Sequence, residues 1–377
     1  MSIEITTVRT KRDRRIFLTV PWRVYQGDPL WVPPVIPERM KAIDPTRGAF
    51  FKRGEADFFI AWKDGRPVGT ICAAEDRSAL EARGRDECIF GFFEYIEDYQ
   101  VFEALLEKAR DWGQNRGLKA FYGPFNLDYE DSYGVLIAGR DRPPALMCGH
   151  SPVYYQGFME RYGFTPARAA NLAFCTELGE ETPAIQRLAR LADRVRRGGR
   201  VTIRGADFDD LEGEIDRVHR LLLEALAWSE DGVPWDRDAL ASIVEPFKLF
   251  ADPELVLFAE VDGETVGWFP GVPNLNEVFK KANGLRYLWN YIPFFWHLRR
   301  QTECLAVKSV LVLPEHQKTG VAVLLFDEMA KRGRAKGYQW VDFSITGADN
   351  PDTIQLAERM GVEEYKRWQV YSLPFKR

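Results

Sequence analysis

The chain has 377 residues, 46% of them hydrophobic and 28% charged, with a formal net charge of -5. This is a globular composition, not a disordered or fibrous one, and the length suits two domains. The acidic balance leaves no electrostatic footprint for nucleic acid. The five cysteines (Cys72, Cys88, Cys148, Cys175 and Cys304) contain no C-x-x-C pair. An odd, unpatterned set suits a reducing cytosol, and neither a disulfide frame nor a metal site is expected. The basic stretch Arg9 to Arg15 is followed by too short an apolar run to be a signal peptide. The longest apolar run, Leu288 to Leu298, is interrupted by Asn290, Pro293 and His297, and it falls well short of the ~20 residues a membrane span requires. A cytoplasmic protein is expected.

In chain order, the strand-like Ile3-Glu4-Ile5 leads through helical stretches to a hairpin turn at Asp64-Gly65-Arg66-Pro67-Val68-Gly69. An amphipathic helix follows, with Phe102, Leu105, Leu106, Ala109 and Trp112 on one face. It ends at Arg116-Gly117, where a C-cap belongs, before a strand over Leu118 to Tyr122. The series then recurs. An offset of 198 residues relates Ile3 to Val201, the turn ending at Gly69 to Asp262-Gly263-Glu264-Thr265-Val266-Gly267, and Gly163 to Gly361. The second helix carries Val321, Leu324, Leu325 and Met329 and ends at Lys336-Gly337, before a strand over Tyr338 to Ile345. The repeat predicts two copies, 1–178 and 200–377, joined by a helical linker over 179–199. Each reads as an α/β domain, a mixed central sheet flanked by helices. Each copy also carries an insert that the other lacks, and specificity is expected there.

Between an apolar run ending at Leu313 and a helical pattern starting near Val321 lies the loop Pro-Glu-His-Gln-Lys-Thr-Gly. Strand, tight loop and helix in that order present free N–H groups at a helix N-terminus, a site for an anion. The loop does not match G-x-x-x-x-G-K-[ST], the nucleoside-triphosphate pattern. It does match Q/R-x-x-G-x-G/A, as Gln317-Lys318-Thr319-Gly320-Val321-Ala322. This pattern resembles the CoA-pyrophosphate loop of the GNAT superfamily of N-acyltransferases. The resemblance implies two tandem GNAT-like domains, acyl-CoA as co-substrate, and an amine acceptor that attacks the thioester directly. By analogy, the N–H of Val312 or Leu313 would face the developing oxyanion. Asn350, eleven residues before Gly361, would be the family's strand-end asparagine. The first copy has Glu94, Glu97 and Asp98 where the loop would be. These would repel a pyrophosphate, so that copy is expected to be degenerate and to contribute to the acceptor site.

The sequence departs from the family in its acid and base. The usual tyrosine position is Ala357, with Tyr365 and Tyr371 nearby, and the strand Ala306 to Leu313 offers Lys308 but no carboxylate. The first copy's insert, from Gly123 to Tyr133 and on to His150–Tyr155, supplies the candidates Asp128, His150 and Tyr155. Of these, histidine titrates in the range needed to deprotonate an amine. The second copy's insert holds Tyr287, Trp289, Phe294, Phe295 and Trp296 between Arg286 and Arg299-Arg300. That pattern suits a membrane surface, an acyl-chain lining or a plain core helix. Gly123-Pro124-Phe125-Asn126, Gly134 to Ile137, Pro143-Pro144, Pro152 to Tyr155, Glu160 to Phe164 and Pro29 to Pro34 together resemble a bacterial tandem GNAT subgroup, that of the bacterial ceramide synthases. That resemblance implies N-acylation of a sphingoid base at the inner face of the membrane. Acetylation of a small soluble amine, or CoA binding without turnover, remain the alternatives.

Overall fold

The computed structural model describes residues 3–78, 84, 86–127, 129, 133–179, 181–225, 237–308 and 310–375. It divides into two compact units. The first holds Met1–Asn171, Asn276–His297 and Lys366–Arg377, and the second Leu172–Leu275 and Leu298–Tyr365.

In the first unit, β1 (Ile3–Thr7), β2 (Gly54–Lys63), β3 (Arg66–Asp76), β4 (Glu87–Tyr95) and β5 (Ala120–Gly123) lie side by side. The pairing of β4 with β5 is parallel and runs only from Glu87 to Ile89. Alternation along β2 explains why the sheet is apolar on both sides. Phe58 and Ile60 join Phe17, Ile36 and Ile43 in one core. Phe59 and Ala61 join Phe102, Leu105 and Leu106 in the other. Those last three belong to α4 (Tyr99–Gln114), which follows the short N-terminal helices α1 (Lys11–Thr19), α2 (Pro21–Val24) and α3 (Ile36–Ala42). After β6 (Val135–Ala138) and α5 (Tyr154–Tyr162), the sheet closes with β7 (Thr165–Pro166) and the C-terminal β16 (Tyr371–Pro374). β16 sits between β5 and β7, with Tyr371 opposite Gly123 and Pro374 opposite Ala120.

In the second unit, β8 (Asn171–Glu177), β14 (Trp340–Gly347), β12 (Cys304–Val307), β11 (Glu264–Pro273), β10 (Val256–Val261) and β9 (Val201–Gly205) follow one another. One face is covered by α11 (Val321–Ala335), onto which α6 (Pro183–Arg196) packs. Along β11 the residues facing α11 alternate as expected. Phe269 lies 4.7 Å from the Phe326 ring. A Cβ on Gly271 would come within 2.8 Å of the Met329 sulfur. α7 (Leu211–Ala225) also packs against β11, and α12 (Pro351–Met360) leads into β15 (Glu363–Gln369).

The two long helices end alike, Leu118 N–H donating to Gly113 O at 3.0 Å and Tyr338 N–H to Gly333 O at 3.1 Å. The sequence copies 1–178 and 200–377 and the linker 179–199 describe the repeat, whereas the units describe packing. Residues 276–297 and 366–377 of the second copy belong to the first unit, and 172–178 of the first copy to the second. Most of the linker is α6, which buries Leu188 and Ala192 and packs Ile185 against the second unit's core. Among the described residues, no helix is long and apolar enough to cross a membrane.

Candidate functional site

The second unit's sheet parts in its middle. β12 pairs with β14 in parallel from Cys304 opposite Trp340 to Val307 opposite Phe343. Further along, β13 (Leu311–Val312) lies off this ladder and pairs, among the described residues, with β11, Gly267 facing Val312. Leu313 N–H donates to Val266 O at 2.9 Å. In an antiparallel ladder, successive residues alternate between bonding the partner and facing away. Val312 therefore turns its N–H toward the edge that β14 has left. Of the two amides expected from the sequence, that of Leu313 is consumed within the sheet, and Val312's lies at the open edge.

The loop that follows joins this edge to α11. Thr319 directs both its N–H (3.2 Å) and its hydroxyl (2.7 Å) to His316 O, so the turn is tied internally. Gly320 has φ +88°, a left-handed conformation, and a Cβ there would sit 2.6 Å from Val195 Cγ2 of α6. Only glycine meets both conditions. Arg196, the last residue of α6, bonds the buried Asp327 of α11, holding Val195 against the loop. Leu324 N–H is the first of the helix to bond back, to Gly320 O at 3.2 Å. The N–H groups of Gly320, Val321, Ala322 and Val323 thus have no acceptor within the helix. Gln317 reaches back toward Val312 O at 3.5 Å, while Lys318 and Thr319 are exposed. Converging amides at the start of a 15-residue helix fit a diphosphate, by both hydrogen bonding and helix dipole.

Asn350 serves α12 as N-cap, its side chain accepting from Thr353 N–H at 3.2 Å. Ala357, at the tyrosine position, is buried with Leu172 and Phe174. Where the strands part, Lys308 and Tyr365 meet two residues that no sequence pattern singled out, Asp342 and Ser344. Asp342 is 0% exposed. Its Oδ2 accepts from Ser344 Oγ at 2.6 Å and its Oδ1 from Tyr365 OH at 2.6 Å. Lys308 Nζ donates to Ser344 Oγ at 2.7 Å and lies 3.4 Å from Asp342 Oδ2. Lys308 and Asp342 stand 34 residues apart in the chain, and no local pattern joins them. A lone aspartate in an apolar strand was the available signal, since such a group needs partners.

The first unit treats the equivalent edge differently. Gly69 corresponds to Gly267 in the repeat and faces Tyr95, so Tyr95 corresponds to Val312. Ile96 N–H bonds Val68 O at 3.1 Å, as Leu313 bonds Val266. Here the outward groups are capped from α5: Tyr95 N–H donates to Tyr155 OH at 3.0 Å, and Tyr154 OH donates to Tyr95 O at 2.6 Å. The repeat places Asp352 and Thr353, not tyrosines, at these positions. Three residues, Ile96 to Asp98, lead into α4, against eight, Leu313 to Gly320, into α11. Asp98 caps α4 and pairs with Lys63 at 2.6 Å. This unit has neither an anion loop nor an open amide at that position.

Of the catalytic candidates, Asp128 lies outside the described residues. Tyr155, besides capping Tyr95, donates to Glu94 Oε2 at 2.9 Å. His150 Nε2 lies 2.8 Å from Asp28 Oδ2, and its buried Nδ1 has no partner among the described residues. Burial lowers the His150 pKa, with Asp28 opposing. Glu94 keeps partial solvent exposure while its carboxyl is crowded by aromatic rings. Burial pushes its pKa from 4.5 to about 7, with the Tyr155 and Tyr25 hydroxyls opposing. The unfolded chain releases this proton first, so the group's contribution to stability falls as pH rises between those values. Thermal melts of Glu94→Gln should therefore vary less between pH 5 and pH 8 than those of the unmodified chain, the gain appearing at pH 8. The same pH dependence in both would mean that this carboxyl titrates normally.

The aromatic insert is not core. Leu288 (85%), Trp289 (65%), Ile292 (75%), Phe295 (53%) and Trp296 (61%) are exposed, and Tyr287 is partly so. Phe294 is half-buried and stacks with Phe279. The exposed residues recur at helical spacing into α10 (Tyr291–Leu298) and form one apolar face. Arg286 anchors its base, its guanidinium 4.9 Å from the Trp22 ring and its carbonyl accepting from Arg15 at 2.6 Å.

The model of the Acetyltransferase (GNAT) family matches residues 220–362. The chain is 28% identical to the protein named Bacterial ceramide synthase from Caulobacter vibrioides (strain NA1000 / CB15N), over 98% of this chain and 97% of that one. It is also 28% identical to Protein YghO from Escherichia coli (strain K12), over 97% and 94% of the two chains. Among solved structures, the fold is similar to a tandem GNAT protein from the clavulanic acid biosynthesis pathway, with a TM-score of 0.58 at 14% identity over 99% and 98% of the two chains. A GCN5-related N-acetyltransferase from Sphaerobacter thermophilus gives 0.57 at 13% identity over 100% and 96%. Residues 220–362, within the second copy, thus match a GNAT acetyltransferase domain, and the chain as a whole has the fold of a tandem GNAT protein.

Proposed function

We propose that the protein transfers a long acyl group from acyl-CoA to the amine of a long-chain amino lipid of the sphingoid-base kind. The observation that carries the CoA part is the open edge of the second unit. Val312 N–H, the loop and the four N–H groups from Gly320 to Val323 lie in chain order along one strand and one helix start. The loop amides would hold the pyrophosphate and Val312 a carbonyl of the pantetheine arm, in place of the oxyanion role that the family analogy gave it, with the thioester beyond it along the parted strands. No metal is needed, because the amine itself is the nucleophile and the thiolate a good leaving group.

The amine must first lose a proton, since an alkylammonium near pKa 10 is not nucleophilic at neutral pH. His150 is the proposed base: burial keeps its imidazole neutral, Asp28 orients it, and Nδ1 is unpartnered among the described residues. Two observations support the lipid part. One is the exposed apolar face from Leu288 to Trp296; the other is the full-length likeness to a protein named for ceramide synthesis. A short helix with aromatic residues on its open face and arginines at its flanks suits the membrane interface, which would place the protein at the cytosolic face of the membrane.

A first test of the CoA site separates binding from folding. Ala322→Glu adds a carboxylate in the first turn of α11, favourable to the helix dipole but repulsive to a pyrophosphate. CoA affinity measured by calorimetry should fall at least about tenfold while the melting temperature holds or rises. Unchanged affinity would remove the loop as the CoA site.

For the reaction, thiol release should appear with palmitoyl-CoA and sphinganine, and much less with acetyl-CoA and spermidine. His150→Gln should then reduce turnover without weakening CoA binding. Turnover confined to acetyl-CoA and small amines would refute the lipid substrate, and CoA binding with no turnover on any pair would refute the enzyme.

Co-sedimentation with anionic vesicles should be lost in a Trp289→Ser, Phe295→Ser, Trp296→Ser variant that melts normally. Equal sedimentation of both proteins would refute the membrane role of this face.

A further inference from the structure

We propose that Lys308 is the cation that stabilises negative charge on the thioester during acyl transfer, held in place by Ser344 and Asp342. This deepens the acyl-CoA reading and rests on it.

The placement comes first. Val307 opposite Phe343 is the last described pair between β12 and β14. The next residue on each strand is Lys308 and Ser344, and these two side chains meet at 2.7 Å across the point of parting. A pantetheine arm entering from the loop and passing Val312 would run back toward the point where the strands part, and Lys308 lies there. Pantetheine carries two amides before its thioester. An amide carbonyl held at Val312 therefore leaves the thioester further along, at the Lys308 end.

The chemistry then assigns the roles. Asp342 is fully buried and accepts hydrogen bonds from Ser344 and Tyr365 on its two oxygens. Its part is to orient Ser344 and Lys308. Lys308 keeps 17% side-chain exposure against 0% for Asp342, so it is the member of the group that can face a ligand. Nitrogen attack on the thioester carbon opens the carbonyl to an oxyanion. The C–S bond then breaks, its electron pair leaves on sulfur, and the surplus proton on nitrogen passes to the base and on to the thiolate. An ammonium near pKa 10.4 is too weak an acid to protonate a thiolate near 8.5. Lys308 is therefore not the proton donor, and its role is to act on the oxyanion and thiolate as a positive charge.

A stability role alone explains the group poorly. Buried ion pairs seldom outweigh their desolvation cost, and apolar residues of similar volume usually serve as well. The position at the strands' parting, beside the edge left open at Val312, gives the charge something to act on.

The test uses the full chain with palmitoyl-CoA and sphinganine, measuring kcat, KM, CoA affinity and melting temperature. Lys308→Met should lower kcat by ~10²-fold or more, with CoA affinity changed by less than about threefold. Lys308→Arg should recover at least about tenfold of that loss, since it restores the charge, and Ser344→Ala should fall between. Lys308→Met with kcat within about threefold of the unmodified chain would overturn the inference, as would Lys308→Arg no better than Lys308→Met when both melt normally. If Lys308→Met does not fold, the other two variants decide: kcat lowered by Ser344→Ala and kept by Lys308→Arg supports the role, and no effect of Ser344→Ala overturns it. Absence of thiol release by the unmodified chain would instead refute the acyl-transfer reading itself.

Discussion

A β-strand that leaves its neighbour strands a row of backbone donors and acceptors, and every one must find another partner. Both copies of this protein face that problem at equivalent residues, Tyr95 and Val312, and they solve it differently. In the first unit, two tyrosines at the start of α5 supply the missing hydroxyls to Tyr95. In the second, the residues at those places are aspartate and threonine, and the Val312 amide stays at an open edge. One copy closes its slot with its own side chains, and in the other the Val312 amide faces the parted edge. Hydrogen-bond accounting, as much as the acidic residues Glu94, Glu97 and Asp98, thus distinguishes the two copies at this edge.

The features around the second unit's slot depend on that open edge. The longer connection from β13 to α11 gives room for a loop, and the packing of Val195 on Gly320 sets how tightly that loop can turn. The Arg196 to Asp327 bond keeps α6 in register with α11, so a contact well away from the slot holds the loop's shape. The buried Asp342 group sits where the strands separate. A charge is tolerable there only because Ser344, Tyr365 and Lys308 satisfy it.

The apolar face around α10 is the other feature that ordinary folding forces do not explain. Leaving Trp, Phe, Ile and Leu side chains in water forgoes roughly 1.5–3 kcal/mol for each fully buried alternative. The base of the segment is well secured, with Asn283 accepting from the Trp22 indole at 2.7 Å and Gly284 pressed against Pro34 O. A firmly anchored segment that nonetheless presents its apolar side outward is suited to meeting another apolar phase.

Local patterns in the sequence determined much of this. The repeat offset, the hairpin turns, the helix ends at Gly117 and Gly337, the cap at Asn350 and the loop from Gln317 to Ala322 are all short-range signals. They were legible because turn chemistry, capping and helical periodicity act within a few residues. Tertiary structure alone decided the rest. Which of Val312 and Leu313 faces the open edge depends on strand register. Ladder register likewise seats the C-terminal strand β16 between β5 and β7 in the first unit. The pairing of Lys308 with Asp342 and Ser344 arises from two strands brought together by the parallel ladder, with a helix between them in the chain. Exposure of the Trp289 and Trp296 face was equally invisible, because the same aromatic spacing serves a core helix and a surface one. Composition can supply an apolar stripe, but only packing determines whether anything covers it.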